Sequence, residues 1–186
     1  MNKVLKLLIL SDVFIYSGLG LVAPLLAVFI KDNLIGGTLF AVGISSAIFL
    51  IVHAILQIVF ADRFNQKDRR WMLLFGTLLI SLVPLGYFLS KNIWHLFIVQ
   101  FIYGIGASFA YPAWYSLFSA NLDKKQEGFQ WSINNSCISI GTALTAAIGG
   151  WLVSSIGFNF SFIIAGLVTI VGFLILIKLN KNDFKK

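Results

Sequence analysis

The sequence predicts an all-α polytopic membrane protein with six transmembrane helices, and three observations support this fold class. Of its 186 residues, 59% are hydrophobic and only 11% are charged, against roughly 25% charged residues in a soluble domain. The apolar residues form six runs, each long enough to cross a hydrocarbon core of about 30 Å. The alternating pattern of a transmembrane β-barrel strand is absent, so the runs are predicted to be helices.

The predicted spans occupy most of the chain, so we expect a single bundle over residues 1–186 with no soluble catalytic domain. In chain order the spans cover 4–30, 38–60, 71–90, 93–119, 131–155 and 158–179. The first apolar run continues to Ile30 without a small-residue cleavage site, which favours an uncleaved transmembrane helix over a signal peptide. The two longest connections, 61–70 and 120–130, are polar and are predicted to lie on the same side of the membrane.

Basic residues are distributed unequally between the two predicted sides. The side that carries both termini and the two polar connections contains twelve of the fourteen basic residues: Lys3, Lys6, Arg63, Lys67, Arg69, Arg70, Lys124, Lys125, Lys178, Lys181, Lys185 and Lys186. The other side contains only Lys31 and Lys91. The positive-inside rule therefore predicts that both termini are cytoplasmic. It also explains the net charge of +7 without a nucleic-acid partner, and the bilayer becomes the expected environment.

The first and fourth spans share an arrangement of glycine and proline. Residues 18–20 read Gly-Leu-Gly and are followed by Pro24, and residues 104–106 read Gly-Ile-Gly and are followed by Pro112. Three crossings separate the two spans, so they would insert in opposite orientations, as in a 3+3 inverted repeat. Interrupted helices at matching positions of such a repeat indicate the substrate path of a transporter. The alternative is that Gly and Pro are simply frequent in membrane helices.

Asp12 is the only acidic residue inside an apolar run. A carboxylate within a span is costly, so it is by default a candidate functional group. Tyr16 lies one turn further along the same helix face. We therefore consider Asp12 and Tyr16 candidates for binding a proton or a cationic group of a substrate. The alternative is that Asp12 lies near the cytoplasmic interface, where it is hydrated or locally paired.

Other polar side chains within the spans are candidates for lining a polar cavity. They are His53 and Gln57 on the second span, Gln100, Tyr103, Tyr111 and Tyr115 on the fourth, and Asn134 and Asn135 on the fifth. His53 has the alternative role of a hydrogen-bond partner between helices. His95 follows Trp94 at the predicted outer interface, which indicates a place in the aromatic belt.

The fifth span carries a stripe of small residues at a spacing of four. Its members are Cys137, Gly141, Thr145 and Gly149. Small residues in every turn let a neighbouring helix approach closely, so the stripe predicts a helix contact. Cys137 is the single cysteine, so neither an internal disulfide nor a metal site is expected, and we expect no cofactor.

The connection between the second and third spans reads Phe-Ala-Asp-Arg-Phe-Asn-Gln-Lys-Asp-Arg-Arg over residues 60–70. Ala61, Asp62, Arg63 and Lys67 match the signature loop of the major facilitator superfamily, Gly-x-Leu-Ala-Asp-Arg-x-Gly-Arg-Lys, which this connection resembles. The departures from the signature are Ile58, Phe60, Asn65 and Gln66. The resemblance implies that the matching residues form a cytoplasmic gate. The alternative is that the loop is only a positive-inside anchor.

Two further spans resemble that family with departures. On the fourth span, Leu96, Gly104, Gly106 and Ala107 fit the family motif, but Gln100 stands where an intramembrane Arg is usual. A neutral amide does not tune the proton affinity of a carboxylate as a fixed positive charge does, so the departure does not favour proton antiport. On the fifth span the stripe resembles the antiporter motif without its internal Gly-Pro, and the resemblance implies a partner helix in a second six-helix half.

The resemblance covers the whole chain and implies the N-terminal six-helix half of a major facilitator transporter. We expect transport of an unidentified small solute by alternating access together with a second half or a second copy, in a bacterial-type inner membrane. The alternative is a non-transporting membrane partner or assembly protein. An intramembrane serine protease is excluded because the sixth span, 158–179, contains no His to activate a serine, so we do not expect an enzyme.

Overall fold

A computed structural model describes residues 1–63 and 69–179, and within these ranges the chain is helical apart from its turns and one isolated bridge between Ile35 and Asn92. The helices are α1 (Lys3–Gly20), a short 3-10 helix (Ala23–Leu25), α2 (Leu26–Asn33), α3 (Leu39–Arg63), α4 (Arg69–Leu89), α5 (Ile93–Asn121) and α6 (Glu127–Ile177). Taking α1 to α2 as one segment, five segments are long and apolar enough to cross a membrane. The all-α membrane class is thereby confirmed.

The first predicted span is interrupted in the structure. Asn2 caps α1, since its side-chain oxygen accepts hydrogen bonds from the backbone amides of Val4 (2.6 Å) and Leu5 (3.2 Å). α1 ends at Gly20, and Pro24 lies in the 3-10 helix that follows. Pro24 has no amide hydrogen to donate, so one backbone hydrogen bond of a regular helix is missing at this break. At the interruption the Leu21 carbonyl oxygen lies against Gly149 of α6.

α6 is too long to be one straight crossing, because 51 residues correspond to about 77 Å of helix. Its helical geometry is broken at Gly157, where φ is 82° and ψ is 173°. We call residues 127–156 the first arm and residues 158–177 the second arm. Each arm is itself long enough to cross a hydrocarbon core.

The two arms run in opposite directions along α1. The contacts that show this are Gly141 with Ser17 and Gly149 with Leu21 for the first arm, and Gly172 with Ser11 and Thr169 with Gly18 for the second. Higher residue numbers on α1 contact higher residue numbers on the first arm, but lower residue numbers on the second arm. The chain therefore reverses its direction at the break in α6.

The remaining helices complete the bundle around α1 and α6. α4 lies against the second arm, where the Thr169 hydroxyl donates to the Ser81 carbonyl oxygen at 2.9 Å. α4 also crosses α5 closely at Gly76. α3 packs on α5 through the stacked rings of Phe60 and Phe109, whose centroids are 4.1 Å apart. Of the long helices α3 is the least buried, so most of its surface faces away from the bundle.

The bundle has two ends that differ in charge. At one end the Asn2 amide donates to Asn121 (2.9 Å) and Arg70 donates to the Leu179 carbonyl oxygen (3.2 Å). At the opposite end the backbone of Ile35 pairs with that of residues 91–93. We call the first the basic end because most of the described Lys and Arg residues lie there: Lys3, Lys6, Arg69, Arg70, Lys124, Lys125 and Lys178.

Candidate functional site

A cavity of about 120 Å³ lies between α1, α4, α5 and the first arm of α6, in the half of the bundle nearer the basic end. We call it the Asp12 cavity. It is lined by Asp12, Ile15, Tyr16, Leu19, Leu73, Thr77, Ile80, Ala110, Tyr111, Trp114, Tyr115, Trp131, Asn134, Asn135 and Ile138. Tyr115 is 51% exposed and Asn135 is also exposed, so the cavity opens at the bundle surface between α5 and α6.

Asp12 is buried in this cavity rather than placed at an interface. Its side chain is only 9% exposed, and none of the lining residues is Lys, Arg or His. Burial of a carboxylate without a positive partner is costly in a low-dielectric environment. The structure thus places the sequence candidates Asp12 and Tyr16 in one cavity, together with Tyr111, Tyr115, Asn134 and Asn135.

Two further polar groups of the same lining are buried and lack a partner. Among the described residues, no hydrogen bond reaches the side-chain oxygen of Asn134 or the indole nitrogen of Trp114. Asn134 is 3% exposed and Trp114 is 6% exposed. Buried polar groups normally have partners, so these two, next to a buried carboxylate, identify a place where a polar ligand would be stabilised.

A second cavity, of about 290 Å³, lies on the other side of Leu19, and we call it the Gln100 cavity. It is lined by Leu19, Val22, Ala23, Leu26, Ser46, Phe49, Leu50, Tyr87, Gln100 and Tyr103. The amide of Gln100 is buried against the hydroxyl of Tyr87. Tyr103 stacks on Phe49 with a centroid distance of 4.3 Å. This cavity contains no charged side chain, so it suits apolar and aromatic groups.

A row of tyrosines connects the two cavities. The hydroxyls of Tyr103 and Tyr111 face one another, as do those of Tyr111 and Tyr16. Leu19 lines both cavities. The structure therefore brings Asp12, at one end of the row, into the same polar region as Gln100, at the other.

His53 and Gln57 do not line either of these two cavities. The imidazole of His53 lies between Phe49 (5.9 Å between centroids) and Tyr111 (5.1 Å). Its Nδ1 is buried without a hydrogen-bond partner in the described part of the chain. The His53 carbonyl oxygen accepts a hydrogen bond from Ser108 at 3.4 Å. His53 therefore packs between α3 and α5, and its role as a coupling or substrate residue, like that of Gln57, stays a prediction.

The predicted gate residues lie at the basic end, where α3 ends. Ala61 and Asp62 are exposed on the last turn of α3. Arg63 is the last residue of that helix, and Lys67 lies outside the described residues. The gate role of these four residues therefore stays a prediction.

The small-residue stripe packs within this chain, against α1. The Gly141 backbone lies against the Ser17 hydroxyl and that of Gly149 lies against the Leu21 carbonyl. Thr145 donates a hydrogen bond to the Gly141 carbonyl oxygen at 2.9 Å, and Cys137 is half-buried beside the apolar cluster near the basic end. The resemblance implied a partner in a second half, but the close contacts of Gly141 and Gly149 are made to α1.

Three lining residues of the Asp12 cavity that carry a polar side-chain atom were missed by the sequence analysis: Thr77, Trp114 and Trp131. Trp114 follows Tyr111 by three residues and therefore lies on the same helix face, a spacing that is visible in the sequence. Thr77 and Trp131 come from other helices. Only the packing of α4 and α6 against α5 brings them to the cavity.

Comparisons with known proteins agree with this architecture. The sequence profile of the Major Facilitator Superfamily matches residues 8–185. Multidrug resistance protein 1 of Bacillus subtilis is 28% identical over 179 residues, which are 94% of this chain and 46% of that protein. Quinolone resistance protein NorA of Staphylococcus aureus is 25% identical over 186 residues, which are all of this chain and 47% of that protein. The chain thus spans about half the length of these relatives.

A solved structure extends the comparison to the fold. The POT family transporter PepTSo superimposes with a TM-score of 0.77 at 15% sequence identity. The match covers 95% of this chain and 37% of that chain. At this level of identity the likeness concerns the fold alone.

Proposed function

Since this chain belongs to the Major Facilitator Superfamily, an integral membrane family of transporters, we propose that it forms one six-helix half of a secondary transporter that works by alternating access. The observation that carries the proposal is the pair of cavities that share Leu19 in their linings. Transporters bind their substrates between two helical units near the midplane of the bilayer. A half with polar groups collected in its wall provides one side of such a site.

The proposed substrate is a small organic compound. Two relatives are named for multidrug and quinolone resistance, and the candidate site combines aromatic rings, amides and one carboxylate. These groups bind molecules that carry both apolar and polar parts. The family also places the protein among transporters rather than enzymes, and we propose the bacterial inner membrane as its location.

The proposed topology has six crossings, with both arms of α6 spanning the bilayer and the basic end in the cytoplasm. A Cys137→Ser background with single substitutions Lys124→Cys or Lys91→Cys tests the orientation. We expect a membrane-impermeant maleimide to label the Lys91→Cys variant on intact cells, and the Lys124→Cys variant only after the cells are opened. The reverse labelling pattern would contradict the positive-inside argument.

The proposed working unit contains two six-helix units, the second being another copy of this chain or a separate half. If the second unit is another copy of this chain, norfloxacin uptake per chain in proteoliposomes is expected to decrease as the number of chains per vesicle is lowered, because two chains must meet. A tandem of two copies joined from Lys186 to Met1 is expected to remove this dependence. The linker needs no crossing, since both ends are proposed to be cytoplasmic.

Two outcomes of this experiment argue against the proposal. Uptake per chain that stays constant down to one chain per vesicle would show that a single chain transports. Absence of uptake in the tandem at every density would exclude a second copy as the partner. A non-transporting membrane partner or assembly protein would then be the better explanation if supplying a separate second half also gave no uptake.

A further inference from the structure

The Asp12 cavity has an unbalanced set of polar groups. Its lining holds a carboxylate that is nine-tenths buried but no Lys, Arg or His. The Asn134 side-chain oxygen is also buried without a partner among the described residues. Asn134 lines the same cavity as Asp12, so its amide oxygen is a second hydrogen-bond acceptor of this lining. A ligand that donates hydrogen bonds and carries positive charge would satisfy these two acceptors, while the indole N–H of Trp114 in the same lining needs an acceptor instead.

The aromatic lining adds a preference for organic cations over inorganic ones. Tyr16, Tyr111, Trp114, Tyr115 and Trp131 all line the cavity. The faces of such rings attract an ammonium group, whereas a bare Ca²⁺ or Mg²⁺ ion prefers a shell of about six or more oxygen ligands. The volume of about 120 Å³ is below the roughly 300–1,000 Å³ of cavities that bind drug-sized ligands. It accommodates a head group but not a whole drug-sized molecule.

The rest of such a ligand has a place on the other side of Leu19. The Gln100 cavity shares Leu19 with the Asp12 cavity and is larger, at about 290 Å³. Its lining is uncharged and includes Phe49, Tyr87 and Tyr103. An apolar or aromatic body would lose water there without meeting an unpaired charge.

We propose that the Asp12 cavity binds the ammonium head group of an organic amine and that the apolar body of this amine passes Leu19 into the Gln100 cavity. Asp12 pairs with the ammonium group, Asn134 accepts a second hydrogen bond from it, and the surrounding aromatic rings face its charge. Leu19 sets how wide a body fits between the two cavities. This inference rests on the proposed transport function, since it names the substrate class of the same site.

The test compares two probes with the same phenylbutyl body and different head groups, 4-phenylbutylamine with a protonated amine and 4-phenylbutan-1-ol with a neutral hydroxyl. Equilibrium binding to the purified full chain in lipid nanodiscs is measured at neutral pH, where the amine is protonated. We expect the amine to bind at least ten-fold more tightly than the alcohol. In Asp12→Asn this preference is expected to disappear, because the amide keeps the shape of the carboxylate and removes its charge. Asp32→Asn, which changes an exposed acid at the opposite end, is the matched control and should keep the preference.

A second pair of variants tests the path past Leu19. Leu19→Trp is expected to weaken binding of both probes about ten-fold while keeping the preference for the amine, because it narrows the passage without changing the charge. Leu10→Trp adds the same bulk on an outward-facing position of α1, which is 47% exposed, and should bind both probes as the unchanged protein does.

Three results would overturn the inference. They are equal binding of amine and alcohol to the unchanged protein, an unchanged preference in Asp12→Asn, and unchanged binding in Leu19→Trp. Binding is measured without transport, so the two proposals fail separately. An amine preference that depends on Asp12 in a protein that never transports would leave this site standing and refute the transporter. Uptake that does not change in Asp12→Asn would support the transporter and refute the proposed amine site.

Discussion

A Gly149→Ala substitution is expected to destabilise the protein by about 2 kcal/mol, within the range typical of overpacking. Gly149 is buried on the first arm of α6, and a Cβ atom at this position would lie against the carbonyl oxygen and the Cα atom of Leu21. Leu21 caps α1 and its amide donates to the Ser17 carbonyl oxygen at 3.2 Å. The obstacle is thus backbone that is already held in place, so the two helices must separate.

Gly150→Ala provides the matched control for this prediction. Gly150 is the next residue of the same helix, and a Cβ atom there would meet no atom within 4 Å. Alanine is the better helix former, so this variant is expected to be neutral or more stable by up to about 1 kcal/mol. Thermal unfolding of both purified variants in detergent measures the difference. Equal unfolding temperatures would show that the contact between Gly149 and Leu21 is not made as described.

A Gly157→Ala substitution is expected to destabilise the protein by about 1–3 kcal/mol for a different reason. No atom would lie within 4 Å of a Cβ at this position, so space is not the obstacle. The backbone has φ 82° and ψ 173°, a region that is essentially restricted to glycine. An alanine there must strain its own backbone or straighten the turn between the two arms. Straightening would remove the second arm from α1 and α4.

A Gly157→Asn substitution tests whether the backbone at this position is left-handed helical or has the extended ψ that the structure shows. Asparagine tolerates the left-handed helical region, where ψ is about +47°, but ψ at Gly157 is far from that value. We therefore expect Asn to destabilise the protein as much as Ala does, as judged by thermal unfolding and by loss of folded protein in the membrane. A clear recovery of stability with Asn would show that the turn is left-handed helical instead.

The membrane class and the family were predictable from the sequence because they depend on local properties. Long apolar runs, few charges and the Ala61-Asp62-Arg63 motif can be read without knowing any contact. The all-α class and the membership of the Major Facilitator Superfamily are confirmed. The shared Gly and Pro arrangement predicted interruptions in both the first and the fourth span, but only the first is interrupted, near Pro24. α5 continues through Pro112, so a proline in the sequence does not by itself show where a helix ends.

The candidate site was predictable only in part. Asp12, Tyr16, Tyr111 and Asn134 were recognised because a polar side chain within an apolar run is unusual in itself. His53 has the same signature, but the structure places it between rings of α3 and α5 and outside both cavities. A single helix does not reveal which of its faces meets a cavity, because that depends on how its neighbours are rotated and spaced.

The sequence by itself determined that this chain is an apolar helical membrane protein of a transporter family, with a carboxylate in its first span. The tertiary structure decided which residues meet. It packed Gly141 and Gly149 of the stripe against Ser17 and Leu21, and it placed Leu19 in the lining of both cavities. The physical reason is that solvent preference and helix formation act along the chain, whereas close packing is satisfied only between helices whose shapes fit.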